Sequence, residues 1–102
     1  MAGFFREQII KRLERSGRWP TVRKNWVKDN PICAVCGRKT DLQVHHIVPF
    51  NIDPSLELCR SNLITLCGRH HLTFGHLGYW KSYNPNVFQD CNSWFSKFLN
   101  RP

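Results

Sequence analysis

Apolar residues recur at helical spacing near the beginning of this 102-residue chain. Phe5, Ile9 and Leu13 are each four residues apart, so they would share one face of a helix. Gly17 stands where such a helix would end. The pattern predicts a helix over residues 3–16, with an apolar face and a basic one.

A second short helix is predicted directly after the first. Thr21 is a suitable N-cap residue, and Val22 and Trp26 share a helical face at i and i+4. An Asn-Pro pair follows Asp29 and is typical of a helix end. We therefore expect a helix from Thr21 to about Asp29.

The middle of the chain changes to short runs rich in β-forming residues. Residues 42–48 favour a strand that ends at a proline, and residues 63–66 form a short apolar strand candidate. Residues 50–61 between them carry turn signals and are interpreted as a loop. From about residue 68 to residue 76 we expect a helix, weakened at its far end by glycine. This alternation predicts one domain that mixes strands and helices.

Aromatic residues are concentrated near the C-terminus, where seven of the 13 lie between Tyr79 and Phe98. Asn84-Pro85 is typical of a helix start, and apolar residues then keep helical spacing, which predicts a helix over residues 85–100. Aromatic residues interleaved with basic ones can stack on bases, but this stretch contains only two lysines. We therefore interpret it as a packing helix.

The positive charge lies mostly in the first third of the chain, although the net charge is +8 overall. Residues 1–39 carry ten Lys and Arg against three Asp and Glu, whereas residues 40–102 carry five against four. This asymmetry favours binding to nucleic acid, which should weaken as salt rises. The alternative is a solvated helix face. The candidates for phosphate contacts are Lys11, Arg12, Arg15, Arg18, Arg23 and Lys24.

The length of the chain, its first residues and its cysteine count narrow the class of protein further. A chain of 102 residues suits a single domain, residues 1–102, and we take a monomer as the default. Charges interrupt the first 17 residues, so a signal peptide is not expected, and no stretch is long enough to span a membrane. A reducing cytoplasm, bacterial or of a phage-infected host, is therefore expected. The five cysteines would then be metal ligands or core thiols rather than disulfides.

The spacing of four cysteine and histidine residues predicts a zinc site. A C-x-x-C pair and a later C-x-x-H pair can complete a tetrahedron, and zinc favours thiolate and imidazole ligands. Gly37 after the first pair suits the tight turn that this arrangement needs. Cys59 and Cys91 have no partner at ligand spacing and are expected to be free, mostly buried thiols. The predicted zinc ligands are Cys33, Cys36, Cys67 and His70.

Three further elements surround the zinc pairs: HHIVP from residue 45, NLITLC from residue 62, and a double histidine at residues 70–71. In this order, and interleaved with the two zinc pairs along the chain, they look like the motif of the zinc-bearing HNH endonucleases. The resemblance implies an α+β fold with a small ββα-metal (His-Me finger) core, a zinc knuckle and flanking helices. The expected parts are a basic helical lead-in over 1–30, the zinc-bound core over 31–78 and a packing helix over 79–102.

The resemblance also implies residue roles. His46 would be the general base, and His45 and His71 would bind one catalytic divalent cation, Mg²⁺, Mn²⁺ or Ni²⁺. Asn62 would either orient the loop that carries the base or help to hold the ion. His76 is open to three roles: a third metal ligand, a phosphate contact or a surface histidine.

Three geometric arguments bear on these roles. Neighbours on a helix point about 100° apart, so His70 can face zinc while His71 faces another site. His45 and His46 would point to opposite faces of a regular strand, so they can serve one site only if the strand bends. Five residues separate His76 from His71, and on a continuing α-helix the two would diverge by about 140°.

The expected activity is metal-dependent hydrolysis of DNA phosphodiester bonds, on a substrate expected to be duplex. A non-catalytic zinc module that binds nucleic acid and a nuclease acting on RNA are the alternatives. Arg69, between two predicted zinc ligands, is open to a phosphate clamp or a surface charge. Phage packaging, restriction and mobile-element functions would each suit such a domain.

Overall fold

The computed structural model describes residues 15–99 and shows a small α+β fold, as expected. The predicted helix over residues 3–16 lies almost wholly outside these residues. The order of elements is α1 (Trp19–Asp29), β1 (Leu42–His46), two 3-10 turns (Pro54–Leu56 and Arg60–Asn62), β2 (Leu63–Cys67), α2 (Gly68–His70, continued by a π-helical turn over His71–Gly75) and α3 (Val87–Leu99).

The two strands form an antiparallel pair at the centre of the fold. Leu42 pairs with Cys67 and His46 pairs with Leu63. All five residues of β2 are buried, which explains why four of them are apolar. β1 ends at His46, two residues earlier than predicted, because the chain bends away there. The backbone N–H of Ile47 makes the last contact, donating to the carbonyl of Asn62 (2.8 Å).

Helix α1 begins two residues before the predicted start. Trp19 is its first residue, so the assignment of Thr21 as the N-cap is wrong. Pro20 lies in the first turn, where its fixed φ suits a helix and its missing N–H costs nothing. The first turn therefore forms without the side-chain cap that the prediction relied on.

Helix α1 is attached to β2 through one threonine hydroxyl. The Nε1–H of Trp26 donates to Thr65 Oγ1 (3.0 Å), and that hydroxyl donates to the carbonyl of Asn30 (2.9 Å). Thr65 is buried, and both capacities of its hydroxyl are used. The basic lead-in is thus held at a defined place on the sheet.

The core is small and rich in sulfur. Its fully buried members come from β2, α3 and the segment before β1: Cys33, Val35, Ile64, Leu66, Cys67, Val87 and Cys91. Burial, together with nearby Cys33 and Asp90, raises the pKa of Cys91 to about 12, so this thiol stays protonated. Cys59 is exposed, so the expectation of a mostly buried thiol is wrong for this residue.

Helix α3 begins at Val87, two residues later than predicted, and continues to Leu99. Asn84 still organises its start, because its Oδ1 accepts a hydrogen bond from the backbone N–H of Asn86 (3.0 Å). Val87 is buried against the core as a packing helix requires. No helix within residues 15–99 is long and apolar enough to cross a membrane.

The packing interpretation is wrong for the aromatic residues that precede α3. Tyr79 and Trp80 lie in the turn before the helix, not on it, and are 60% and 56% exposed. Helical spacing carries no information on residues outside a helix, so these two side chains require a separate explanation.

Candidate metal centres and active site

The four predicted zinc ligands lie together. Their ligand atoms are all within 4.8 Å of one another. The Nδ1 atom of His70 lies 3.3 Å from the sulfur of Cys67 and 3.8 Å from that of Cys33. Adjacent ligands of a tetrahedral zinc ion are about 3.5 Å apart. The cluster, made up of Cys33, Cys36, Cys67 and His70, therefore has the composition and the size to hold zinc.

The surroundings of Cys33 and His70 favour their metal-binding forms, whereas burial raises the pKa of Cys36. Burial opposes ionisation of Cys33, but backbone hydrogen bonds from Cys67, Cys36 and Val35 outweigh it and hold its pKa below the ordinary value. Burial lowers the pKa of His70, and the charge of Arg69 lowers it further. A thiolate and a neutral imidazole are the forms that bind zinc.

A second cluster, called the triad below, consists of His45, His71 and His76. Its ring centroids are 4.8–5.0 Å apart, and one nitrogen of each ring lies within 4.8 Å of the others. His45 comes from β1, His71 begins the π-helical turn of α2, and His76 directly follows that turn as its C-cap. The sheet and the helix thus meet at three imidazoles.

The hydrogen bonds of the triad fix which ring nitrogens carry lone pairs. His71 Nδ1 lies 2.7 Å from the side-chain oxygen of Gln43, and His76 Nδ1 lies 2.7 Å from the carbonyl of Ser82. An amide or carbonyl oxygen can only accept, so each Nδ1 must donate. A neutral imidazole has a single N–H. The Nε2 atoms of both rings are therefore left as acceptors.

These acceptor atoms converge without a proton between them. The Nε2 atoms of His71 and His76 are 3.2 Å apart, and two facing lone pairs repel at that distance. The Nε2 atom of His45 is buried and has no hydrogen-bond partner among the described residues. Buried polar atoms without a partner are rare and costly. A divalent cation would satisfy all three nitrogens, so the residues present fit a metal.

Burial keeps His45 and His71 neutral. Burial lowers the pKa of His45 to about 3, with further lowering from His71, His76 and His46. Burial likewise lowers the pKa of His71 to about 4, and His76 adds to the effect. Both rings therefore keep a lone pair for a metal far below neutral pH.

The π-helical turn explains how His76 reaches the triad. On a continuing α-helix His71 and His76 would diverge by about 140°, but the helix does not continue as an α-helix. Over His71–Gly75 the helix widens, and the i→i+5 repeat of a π-helix brings residues five apart back to the same side. Of the three roles left open for His76, its geometry favours that of a third ligand.

Gly75 permits the close approach of α2 to β1. It is buried, and a Cβ atom there would lie 3.0 Å from both Cε1 and Nδ1 of His45. Such a contact is tighter than ordinary van der Waals packing and would displace the imidazole. The glycine therefore determines how near His45 lies to the other two rings.

His46 points away from the triad but shares its cavity. Its Nε2 atom lies 2.9 Å from the carbonyl of Glu57, and its ring packs on Trp19 at 4.4 Å between centroids. Because the carbonyl accepts, Nε2 carries the proton and Nδ1 carries the lone pair. Burial lowers the pKa of His46, and Arg15 lowers it further, so the ring is neutral at pH 7. His45, His46 and His71 all line one cavity of about 440 Å³.

Asn62 holds the loop that follows His46. Its Oδ1 accepts from the backbone N–H of Val48 (2.8 Å). Its Nδ2 donates to the carbonyls of Val48 (3.1 Å) and Leu56 (3.2 Å). Both ends of the amide are occupied by backbone groups, which favours the loop-orienting role over that of an ion ligand.

Glu57 belongs to the site although its sequence context does not single it out. Its carboxylate is buried and bonds to the guanidinium of Arg15 and to the backbone N–H of Ser16 (2.9 Å). Its carbonyl orients His46. A lone glutamate in a predicted loop has no periodic partner, so only the fold reveals this connection between the lead-in and the site.

The structure places some of the predicted phosphate-contact residues at the cavity and others away from it. Arg15 and Arg23 line the cavity of His46. Arg18 and Lys24 are exposed on or beside α1 but do not line it, and Arg69 is exposed on α2. Lys11 and Arg12 lie outside the described residues. Arg15 is also engaged by Glu57 and packs over Phe50 and Trp19, so Arg23 is the freer cation at this cavity.

Replacing Cys33 with serine is expected to remove zinc and to unfold the protein, because the cluster joins the segment before β1 to the start of α2 and zinc binding is coupled to folding. Metal analysis of the purified protein and its circular dichroism spectrum measure the two losses. Cys59→Ser is the matched control and should keep both zinc and fold, because Cys59 is exposed and outside the cluster. A folded, zinc-bearing Cys33→Ser protein would contradict this assignment.

Gly75→Ala is expected to weaken binding of Ni²⁺ at the triad by about tenfold, because the new methyl group displaces His45. Calorimetric titration of the zinc-loaded protein with Ni²⁺ measures the affinity. Gly17→Ala is the matched control, since a Cβ atom there would meet nothing within 4 Å. Equal Ni²⁺ affinities in the two variants would exclude close packing of Gly75 on a metal ligand.

Comparison with protein families gives one match, to the family model described as HNH endonuclease, over residues 33–76. The matched segment begins at the first cysteine of the zinc cluster and ends at the third histidine of the triad. No curated protein sequence and no solved structure matches the chain at a significant level.

Proposed function

We propose that this protein is a metal-dependent DNA endonuclease, because residues 33–76 match the HNH endonuclease family model. The observation that carries the proposal is the convergence of three imidazole nitrogens without donors beside a neutral histidine in the same cavity. Such an arrangement provides a cation site and a base within one pocket, which are the two requirements for hydrolysing a phosphodiester.

His46 is the general base of the proposed reaction. Its Nε2–H donates to the carbonyl of Glu57 and its ring packs on Trp19, so its Nδ1 lone pair is held in one direction. That nitrogen takes the proton from a water molecule that attacks phosphorus. The lowered pKa of His46 keeps the ring unprotonated at neutral pH, ready for this step.

The two candidate metal sites have different roles in this proposal. The cysteine-rich cluster would hold a structural zinc ion, since its four residues supply a complete tetrahedral set of protein ligands. The triad would hold one divalent cation, Mg²⁺, Mn²⁺ or Ni²⁺, which when bound neutralises charge on the phosphate and on the leaving oxygen. Three protein ligands leave room in the coordination shell for substrate.

The remaining residues position the base and the nucleic acid. Asn62 anchors the loop after His46 through three hydrogen bonds and acts as a positioning residue. Arg23 contacts a phosphate near the cavity, and Lys24 and Arg18 contact the backbone further along a duplex. Water adds to phosphorus as the bond to the 3′ oxygen breaks, which leaves 5′-phosphate and 3′-hydroxyl ends.

Replacing His46 with alanine or glutamine is expected to lower the rate of plasmid cleavage in Mg²⁺ or Mn²⁺ by about 10²–10⁴-fold. Glutamine can still donate to the carbonyl of Glu57 but cannot accept the proton, so it tests base chemistry apart from local structure. Cleavage is followed on agarose gels, with matched DNA and RNA substrates compared in parallel.

Both His46 variants should bind Ni²⁺ at the triad as the wild type does, because His46 points away from those rings. A wild type that is inert with every metal would contradict the proposal, as would a variant that cuts as fast as the wild type. Preferential cutting of RNA would leave the chemistry intact and replace the substrate.

Replacing Arg23 with alanine is expected to weaken binding to all duplex sequences alike and to reduce the slope of log K against log salt by about 1. Arg60→Ala is the matched control, since Arg60 is paired with Asp29 and does not line the cavity. Fluorescence anisotropy at several salt concentrations gives the slopes. Equal slopes in the two variants would remove Arg23 from the phosphate contacts.

A further inference from the structure

The turn after the triad presents three large apolar side chains to solvent. Leu77, Tyr79 and Trp80 are 60%, 60% and 56% exposed. Leu77 has a φ of 55° and Gly78 a φ of 84°. A leucine in the left-handed region is uncommon, and such backbone conformations concentrate at binding and catalytic sites. Neither the zinc cluster nor the triad requires a projecting aromatic turn.

The turn is held firmly, so its exposure is a property of the fold. The backbone N–H of Gly78 donates to the carbonyl of Leu72 (2.9 Å), and that of Tyr79 donates to the carbonyl of His76 (3.1 Å). Ser82 closes the turn by donating through its N–H (2.8 Å) and its hydroxyl (2.9 Å) to the carbonyl of Tyr79. The two aromatic rings therefore start from a fixed backbone.

Trp80 stands directly at the edge of the triad. Its ring centroid is 5.2 Å from that of His71 and 5.0 Å from that of His76. The cations Arg15 and Arg23 line the cavity over the triad, whereas Trp80 lies outside that lining. A phosphate at the triad would thus have positive charge over the cavity and an exposed indole beside the metal ligands.

We infer that Trp80, flanked by Tyr79, is a stacking platform for an unpaired nucleobase next to the phosphate that is cut. The inference rests on the proposed function and deepens it by naming the substrate class: nucleic acid with an unstacked base at the cleavage position. Bases within a duplex have both faces covered by their neighbours, so an exposed indole can stack only where a base is unpaired or displaced.

A nucleobase fits this place better than a protein side chain does. The indole is a few ångströms from the triad and the cavity is cationic, so the polymer that binds there is anionic. Every base has a π face, and stacking on an aromatic side chain requires no particular sequence. The platform would therefore select for local strand structure rather than for base identity.

The test compares two 12-residue oligonucleotides of equal charge, one of thymidine and one of abasic units. Binding is measured by fluorescence anisotropy on the zinc-loaded protein with no other divalent cation added, so that nothing is cut. Trp80→Ala is expected to weaken binding to the thymidine strand by about 5- to 150-fold and to leave the abasic strand unaffected. Trp80→Phe should retain most of the preference because it keeps an aromatic face.

Trp94→Ala is the matched control, since Trp94 is 45% exposed on α3 and packs near Phe74 rather than the triad. It should bind both strands as the wild type does. A duplex with one unpaired thymine should bind the wild type more tightly than a fully paired duplex, and Trp80→Ala should abolish that difference.

Several outcomes would overturn the inference. Equal losses on both strands in Trp80→Ala would mean that the residue acts on charge or fold. Unchanged binding to both would leave the aromatic turn for a protein partner. Lowered Ni²⁺ affinity at the triad with an unchanged preference for bases would make Trp80 a cover for the metal ligands.

Failure of the inference is distinguishable from failure of the proposed function. A protein that cuts DNA through His46 but shows no preference for thymidine over abasic strands keeps the function and loses the platform. A protein that prefers thymidine strands through Trp80 but cuts nothing keeps the platform and loses the endonuclease assignment.

Discussion

The metal-ligand cluster that contains Cys67 and His70 is the constraint on which the rest of the site depends. These two residues lie at the end of β2 and in the first turn of α2, and they share a metal cluster with Cys33 from the segment before β1. A metal held there determines the direction in which α2 leaves the sheet. His71 is the next residue, so the first cluster sets the position of the second.

The division of labour between the two clusters follows from helix geometry. Adjacent residues on a helix face different directions, so His70 is turned to the sulfur ligands while His71 is turned to His45. The cysteine-rich cluster can therefore support the triad without sharing a residue with it. A similar division applies at the strand end, where His45 and His46 point apart and line the same cavity because β1 stops there.

The sequence predicted those parts of the site that depend on spacing along the chain. The clustering of the four predicted zinc ligands, the strand pair and the start of α2 at Gly68 belong to this group. It did not predict the π-helical turn, because periodicity arguments assume the α-helical repeat, and the role of His76 was left open for that reason. Thr21 was misassigned since a proline near the helix start competes with a polar cap as a signal.

Residues whose roles come from contacts distant in the chain had no sequence signal at all. Glu57 contacts Arg15 and Ser16, which are more than 40 residues away in the chain, and no pattern near Glu57 in the sequence predicts a buried carboxylate. Trp80 was grouped with a packing helix because composition alone cannot separate an aromatic residue on a helix from one in the turn before it. In both cases the missing information is the path of the chain between distant segments.

The π-helical turn has a consequence for how this protein tolerates change. Because one extra residue per turn brings His76 beside His71, the geometry of the triad is encoded in the number of residues between the two histidines. Substitutions at exposed positions of the turn, such as Thr73, leave that number of residues unchanged. Loss of one residue from the turn would restore the α-helical repeat and place the two histidines four residues apart, about 40° from each other around the helix, so a one-residue deletion keeps the pair only through the change from π-helical to α-helical geometry.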